Sequence, residues 1–125
     1  DAMEQARVGR LTRFQHILLR LGEWVAWAEC AGSLARRAGL MAEGKLHEKA
    51  NDRFSPPALA AISRIFAREA ALKVATESLR WITGAGGEMN TAHLPAIYAA
   101  QSGLVSDMDF VADVLYNRER KSAAA

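Results

Sequence analysis

Residues Leu11–Gly44 read LTRFQHILLRLGEWVAWAECAGSLARRAGLMAEG, and this stretch decides the fold. Apolar or small residues recur at Ile17, Leu21, Trp24, Ala28, Ala31, Ala35 and Ala38, in alternating steps of four and three. An α-helix turns once in about 3.6 residues, so these positions share one face. Leu18, Val25, Gly32 and Gly39 widen that face, while Arg13, Arg20, Glu23, Arg36 and Arg37 lie mostly off it. The first half of the stripe is bulky and the second half small. Small residues let a neighbouring helix approach, so the closest helix contact is expected between Ala28 and Ala38. No proline interrupts the run, which at a rise of about 1.5 Å per residue would be about 45 Å or more long. A helix of that length belongs to a bundle, and this one is expected to be the element around which the rest packs.

Downstream, GKLHEKANDRF from Gly44 to Phe54 is polar and reads as a connection. Ser55-Pro56-Pro57 then starts a second long helix, with Ser as N-cap and proline in the first turn, where no N–H bond is lost. It runs to about Thr83. Ile65, Leu72 and Leu79 are seven apart, Ala61, Ala75 and Ile82 share their face, and Ile62, Phe66 and Ala70 extend it. Arg68 breaks that stripe. Glu69, Lys73 and Glu77 alternate in sign at i,i+4 spacing and mark a solvated side. Gly84-Ala85-Gly86-Gly87 ends the helix, because glycine readily adopts the left-handed terminating conformation. Asn90 or Thr91 caps a third, shorter helix through about Ser102, with Pro95 near its first turn and Gly103 closing it. Ser106 is expected to cap a fourth. Asp107 and Asp109 lie in its first turn, and Phe110, Val114 and Leu115 form its buried face. Arg118, Arg120 and Lys121 fall at its C-terminal end, the favourable sign for the helix dipole. Upstream, DAMEQARVGR (residues 1–10) suits a lead-in turn of helix that Gly9 separates from the main one. No stretch alternates like a strand and no Asn-Gly hairpin signal occurs. The expected fold is a single all-α domain over residues 1–125, an antiparallel up-and-down bundle of about four helices, two long and two shorter.

At 125 residues the chain is long enough for one core. The net charge of +2 is small and the basic residues are interleaved with acidic ones, which argues against nucleic-acid binding. No apolar run reaches the roughly 18 residues needed to span a bilayer, and no secretory signal is present. One cysteine, Cys30, excludes an internal disulfide and fits a cytoplasmic or other reducing compartment; among alanines it reads as a small buried hydrophobe.

The sequence contains no catalytic, cofactor-binding or metal-binding constellation. His16, His47 and His93 have no second ligand at i+3 or i+4. His47-Glu48 reads as a solvated pair and His16 as a boundary residue. The glycine run lacks the Lys-Ser/Thr that a phosphate loop requires and follows a helix rather than a strand. Ser33 has no base at a recognisable spacing. Trp24, Trp27 and Trp81 could line a ligand cage but have the spacing of core and rim packing. Asp107, Asp109 and Asp113 could mimic a metal site, yet a capping turn accounts for the first two.

Gln15–Ala26 (QHILLRLGEWVA), with the small-residue run to Ala38, resembles the first long helix of the extra C-terminal helical domain in very-long-chain-type acyl-CoA dehydrogenases. Ile65–Ala71 (IFAREAA), with the helix to Trp81, is similar to that domain's second long helix; the likeness covers about residues 10–87. The resemblance implies a parent enzyme that uses FAD to oxidise fatty acyl-CoA, with a flavin-binding core and carboxylate base lying outside this chain. Gly86-Gly87 lacks the upstream Gln and the Gly-x-Gly-Tyr flank of the family's flavin motif, and Ile97-Tyr98 is followed by Ala-Ala rather than Glu-Gly-Thr. No catalytic or flavin residue is therefore carried over. The implied piece is a non-catalytic C-terminal domain of a longer flavoprotein of fatty acid metabolism, consistent with a chain that starts at Asp1. It would serve assembly on the catalytic domains of the same polypeptide, with homo-oligomer formation and peripheral membrane contact as further possibilities. The alternative is a stand-alone helical module that self-associates or binds a partner protein.

Overall fold

The computed structural model describes residues 2–10, 13–50 and 53–116. These residues are all-helical, with α1 (Ala2–Val8), α2 (Gln15–Ala42), α3 (Pro56–Gly84), α4 (Leu94–Ala99) and α5 (Leu104–Leu115). The two long helices and the connection between them lie where the sequence places them. The lead-in segment forms a helix of its own, and Gly9 ends it. The N-cap of α3 is Ser55, whose Oγ accepts from Ala58 N at 3.4 Å. Its far end closes on the glycine run: Ala85 N, Gly86 N and Gly87 N donate to the carbonyls of Trp81, Thr83 and Ile82. Gly86 has φ +84°, and a Cβ on Gly87 would sit 2.8 Å from Ile82 Cγ2.

The hub of the molecule is α3 rather than α2, since each of the other four helices packs on it. A helix contacted from several sides is buried on more than one face. Leu59, Ser63 and Ser78 are accordingly buried in addition to Ala61 and Ile82 of the expected face and Ala70 of its extension, whereas Ile65, Leu72, Ala75 and Leu79 are only half-buried. The α2–α3 contacts run in opposite chain order: His16 and Arg20 meet Trp81, Glu23 meets Lys73, and Trp27 meets Phe66. The core cluster joins Ala6 of α1, Ile17, Leu21 and Trp24 of α2 and Ile82 of α3, with Val74, Trp81 and Met89 against it.

Burial of α2 departs from the expected stripe. Ile17, Leu21, Trp24 and Ala38 are buried, but Ala28 and Ala35 are exposed, as are Leu18 (51 %) and Val25 (45 %). One long neighbour cannot cover a stripe that wide, and in the small-residue half Ala28 and Ala31 line an open cavity. Cys30 is exposed, contrary to its expected burial. It lies six residues, or about 240° of helix rotation, from buried Trp24; helix phase decides its environment, not its alanine neighbours.

The shorter helices start later and earlier than expected. α4 begins at Leu94 after His93, with Asn90 and Thr91 outside it: Asn90 Oδ1 accepts from Ala92 N at 2.9 Å and the Thr91 carbonyl from Leu94 N at 3.1 Å. Pro95 does lie in its first turn. Gly103, with φ +84°, is the N-cap of α5, so Ser106 lies inside the helix and Asp109 is past its first turn. No residue of α5 is buried; Phe110 and Val114 are half-buried and Leu115 is 61 % exposed. The expected basic end at Arg118, Arg120 and Lys121 lies outside the described residues.

Arg68, the break in the α3 stripe, joins the short helices to the hub. Its Nε donates to the Ala100 carbonyl at 2.7 Å, Nη2 to the Ser102 carbonyl at 2.9 Å and Nη1 to Asp107 Oδ2 at 2.5 Å. Arg64 adds a two-pronged pair to the same carboxylate at 2.9 and 2.6 Å. Arg64 first and Arg68 second hold the Asp107 carboxyl far below the usual carboxylate range.

Candidate functional site

The gap between α2 and α3 is an open cavity of about 540 Å³. Ala28 and Ala31 form one wall, Ala67, Ala71 and Ala75 the facing wall, and Trp24 belongs to the same surface. The N-terminal residues of α1, the segment around Met89 and the start of α4 close it at the sides. The alanines that line it on both helices bring little side-chain volume to fill the space.

Its polarity is unbalanced. Among the described residues no Asp, Glu, Lys or Arg lines it. The polar groups of the wall are Ser78, Asn90, Thr91 and His93. The Ser78 hydroxyl is occupied, donating to the Val74 carbonyl at 2.5 Å. Trp24 is 4 % exposed, yet its Nε1–H has no acceptor among the described residues. A buried donor left unpaired costs about 1–3 kcal/mol. The cavity therefore has a largely apolar wall with no carboxylate, ammonium or guanidinium group among the described residues, and the unpaired Trp24 Nε1–H is itself closed off from solvent.

The three tryptophans do not converge on a cage. Trp24 lies in the core and cavity wall. Trp27 stacks on Phe66 with ring centroids 5.3 Å apart, and Lys73 Nζ lies 5.3 Å from the Trp27 ring centroid. Trp81 sits at the opposite end, beside a second depression shared with Phe14, His16 and Arg80. Its ring meets His16 at 5.7 Å, with Arg20 and Arg80 at 5.4 and 5.2 Å, and its Nε1–H donates to Glu77 at 2.9 Å. Lys73 and Glu77, read as solvated, thus reach neighbours: Lys73 also meets Glu23 of α2 at 3.4 Å.

The histidines are dispersed. His16 packs on Trp81, His47 Nδ1 accepts from Lys49 N at 3.1 Å, and His93 lies at the cavity wall. Ser33 Oγ accepts from Arg36 at 3.0 Å within its own helix. Asp107 is taken by the two arginines. Among the described residues no three His, Cys, Asp or Glu side chains group as metal ligands. The N–H groups of Ala85, Gly86 and Gly87 cap α3 by donating to its last carbonyls. The cavity was missed in the sequence because the small residues of α2 are equally the signature of a close helix contact. The available signal was that Ala28 and Ala31 and the Ala67–Ala75 run are small on both partners at once. No helix among the described residues is long and apolar enough to cross a membrane. Comparisons with protein-family models, with curated proteins and with solved structures each found no match.

Proposed function

We propose that the chain is a non-catalytic C-terminal helical domain of an FAD-dependent acyl-CoA dehydrogenase, docking through apolar helix faces on the catalytic body of the same polypeptide. The observation that carries this is the outer face of α5. Val105, Met108, Leu115 and Tyr116 fall within about a third of a helix turn of one another, and they are 69, 41, 61 and 73 % exposed. An amphipathic helix normally turns its apolar stripe inward. This one holds to α3 through Asp107 and half-buried Phe110 and Val114, and presents a second stripe outward. A stripe of that kind on a small domain suits a face that another body covers. The likeness of Gln15–Ala26 and Ile65–Ala71 to the dehydrogenase's helical domain supplies the identity of that body. The exposed thiol of Cys30 suits a reducing compartment.

The same stripe also suits the second reading, a stand-alone module that self-associates. An antibody raised against the chain and used on a lysate of the source organism separates the two. A band far above 13.6 kDa is expected, and the purified chain should show no flavin absorbance and no acyl-CoA oxidation. A band at the chain's own size overturns the dehydrogenase reading. A light-scattering mass that stays monomeric at high concentration counts against the second.

A further inference from the structure

We infer that the outward face of α2 is an interface for a second copy of this chain, the two α2 helices packing antiparallel about a two-fold axis that passes between Gly32 and Ser33. This surface is distinct from the outer stripe of α5 and does not depend on the docking proposed above.

Helix phase defines the face. Leu18, Gly22, Val25, Glu29, Arg36 and Leu40 fall within about 60° of rotation at about 100° per residue, and all six are exposed. Leu18, Val25 and Leu40 are 51, 45 and 45 % exposed. They make a second apolar stripe, about a quarter turn from buried Ile17, Leu21 and Trp24. Glycine inside a helix is unfavourable compared with alanine. At Gly22 and Gly39 an added Cβ would meet nothing within 4 Å, so no contact among the described residues requires the side chain to be missing. Close approach of another helix does require it.

The charges select both the occupant and its direction. In a two-fold antiparallel pair, residues that share a midpoint stand at the same level. The midpoint of Glu29 and Arg36 lies between Gly32 and Ser33, and so does the midpoint of Val25 and Leu40. One register therefore sets Glu29 against Arg36 of the second copy and Val25 against its Leu40, with Gly32 and Ser33 at the axis. A parallel pair would set Glu29 against Glu29 and Arg36 against Arg36, which repel. Arg36 Nη2 donates to Ser33 Oγ at 3.0 Å within its own helix, and the other N–H groups of the guanidinium suit a carboxylate. The helices overlap from residue 23 to residue 42, about 30 Å. A single helix pair is a small interface, so the dimer is weak and concentration-dependent.

Light scattering and sedimentation of the purified full chain test this. Between about 5 and about 500 μM the mass should rise from 13.6 kDa toward twice that value. Val25→Glu, at an exposed position, should keep the chain monomeric over that range while the circular dichroism stays helical. Glu29→Arg and Arg36→Glu should each raise the dissociation constant about tenfold, because each contact occurs twice in the dimer. The double exchange should restore association. In a Cys30→Ser background, Val25→Cys chains mixed with Leu40→Cys chains should form a disulfide-linked dimer on mild oxidation. Val25→Cys chains alone should form none, since their thiols would stand about 22 Å apart along the helices. A mass that stays at 13.6 kDa throughout overturns the proposal. So does a double exchange that fails to restore association, or a Val25→Cys chain that links to itself. If Val25→Glu loses helicity, the charge exchange and the cross-link decide. Val105→Asp, on the outer stripe of α5, should leave the dimer intact. If it alone dissolves the dimer, self-association belongs to α5 and the α2 interface falls. The size of the band on the immunoblot leaves all of these outcomes untouched, so the two readings fail separately.

Discussion

The guanidinium of Arg68 bonds to the backbone after α4 and to the first turn of α5, and its side chain is only 15 % exposed. Charged hydrogen bonds of this kind, largely out of water, are worth more than surface ion pairs. Arg68→Met should therefore lower unfolding free energy by about 2 kcal/mol in a denaturant titration. Arg64→Met, at a half-exposed position on the same carboxylate, should cost well under that. The pH response follows from Asp107. Its carboxyl is depressed in the folded chain, so the unfolded chain takes up the proton more readily. The stabilisation is whole above the unfolded carboxyl range, about pH 4, and is lost progressively as pH falls below it. Asp107→Asn should flatten the acid limb of the thermal midpoint between about pH 4 and pH 2, relative to the parent chain. An unchanged acid limb would show that the arginine pair contributes nothing to folding. At this scale Arg68 was visible in the sequence as an interruption. Its partners lie 32 to 39 residues away, and no local pattern reveals them.

At the scale of the element, α3 is specified at both ends. Ser55-Pro56-Pro57 starts it, and Gly84–Gly87 stops it with three backbone bonds back onto the last turn. Gly87 has no room for a side chain, because Ile82 Cγ2 and the Ile82 carbonyl lie 2.8 and 3.0 Å from where its Cβ would be. Gly87→Ala should therefore cost about 1–3 kcal/mol as the terminating turn opens. Gly84→Ala, with nothing within 4 Å, should leave the thermal midpoint nearly unchanged or raise it slightly. Equal effects of the two would contradict the turn geometry. Ser55→Ala should cost about 0.5–1 kcal/mol, toward the low end for an N-cap because the Ala58 N–Ser55 Oγ bond is 3.4 Å long. The shorter elements were less legible. Gly103 at φ +84° serves as cap without a side chain, so Ser106, a residue of the right type, is displaced into the helix.

For the whole molecule, the large buried side chains Ile17, Leu21, Trp24 and Ile82 cluster where α1, α2 and α3 meet, and α5 contributes no buried residue. Half of the buried hydrophobic residues are alanines, which bring little area each. Ile17 and Ile82 are the large side chains most fully enclosed. Ile82→Ala should cost about 2–5 kcal/mol and accelerate amide exchange in α1, α2 and α3 together. Arg68→Met should instead release α4 and α5 while exchange across α2 and α3 stays slow. Uniform exchange in both variants would mean that the chain opens only as one unit.

The helices of this protein were readable from residue order because their causes are local. A 3.6-residue period, a Ser-Pro-Pro start and a glycine stop act within a few residues of themselves, and the all-helical class and the bounds of α3 follow; α2, with no such start signal, begins at Gln15, inside the periodic stretch. Which face each helix buries is a property of pairs. Leu18 and Val25 are as apolar as Leu21, yet exposed, because α3 approaches one side of α2 only. The small residues of α2 and α3 also line an open cavity, which becomes visible only when both helices and the segment around Met89 are in place. The centrality of α3, the Arg68 joint and the unpaired Trp24 donor exist only once distant segments meet.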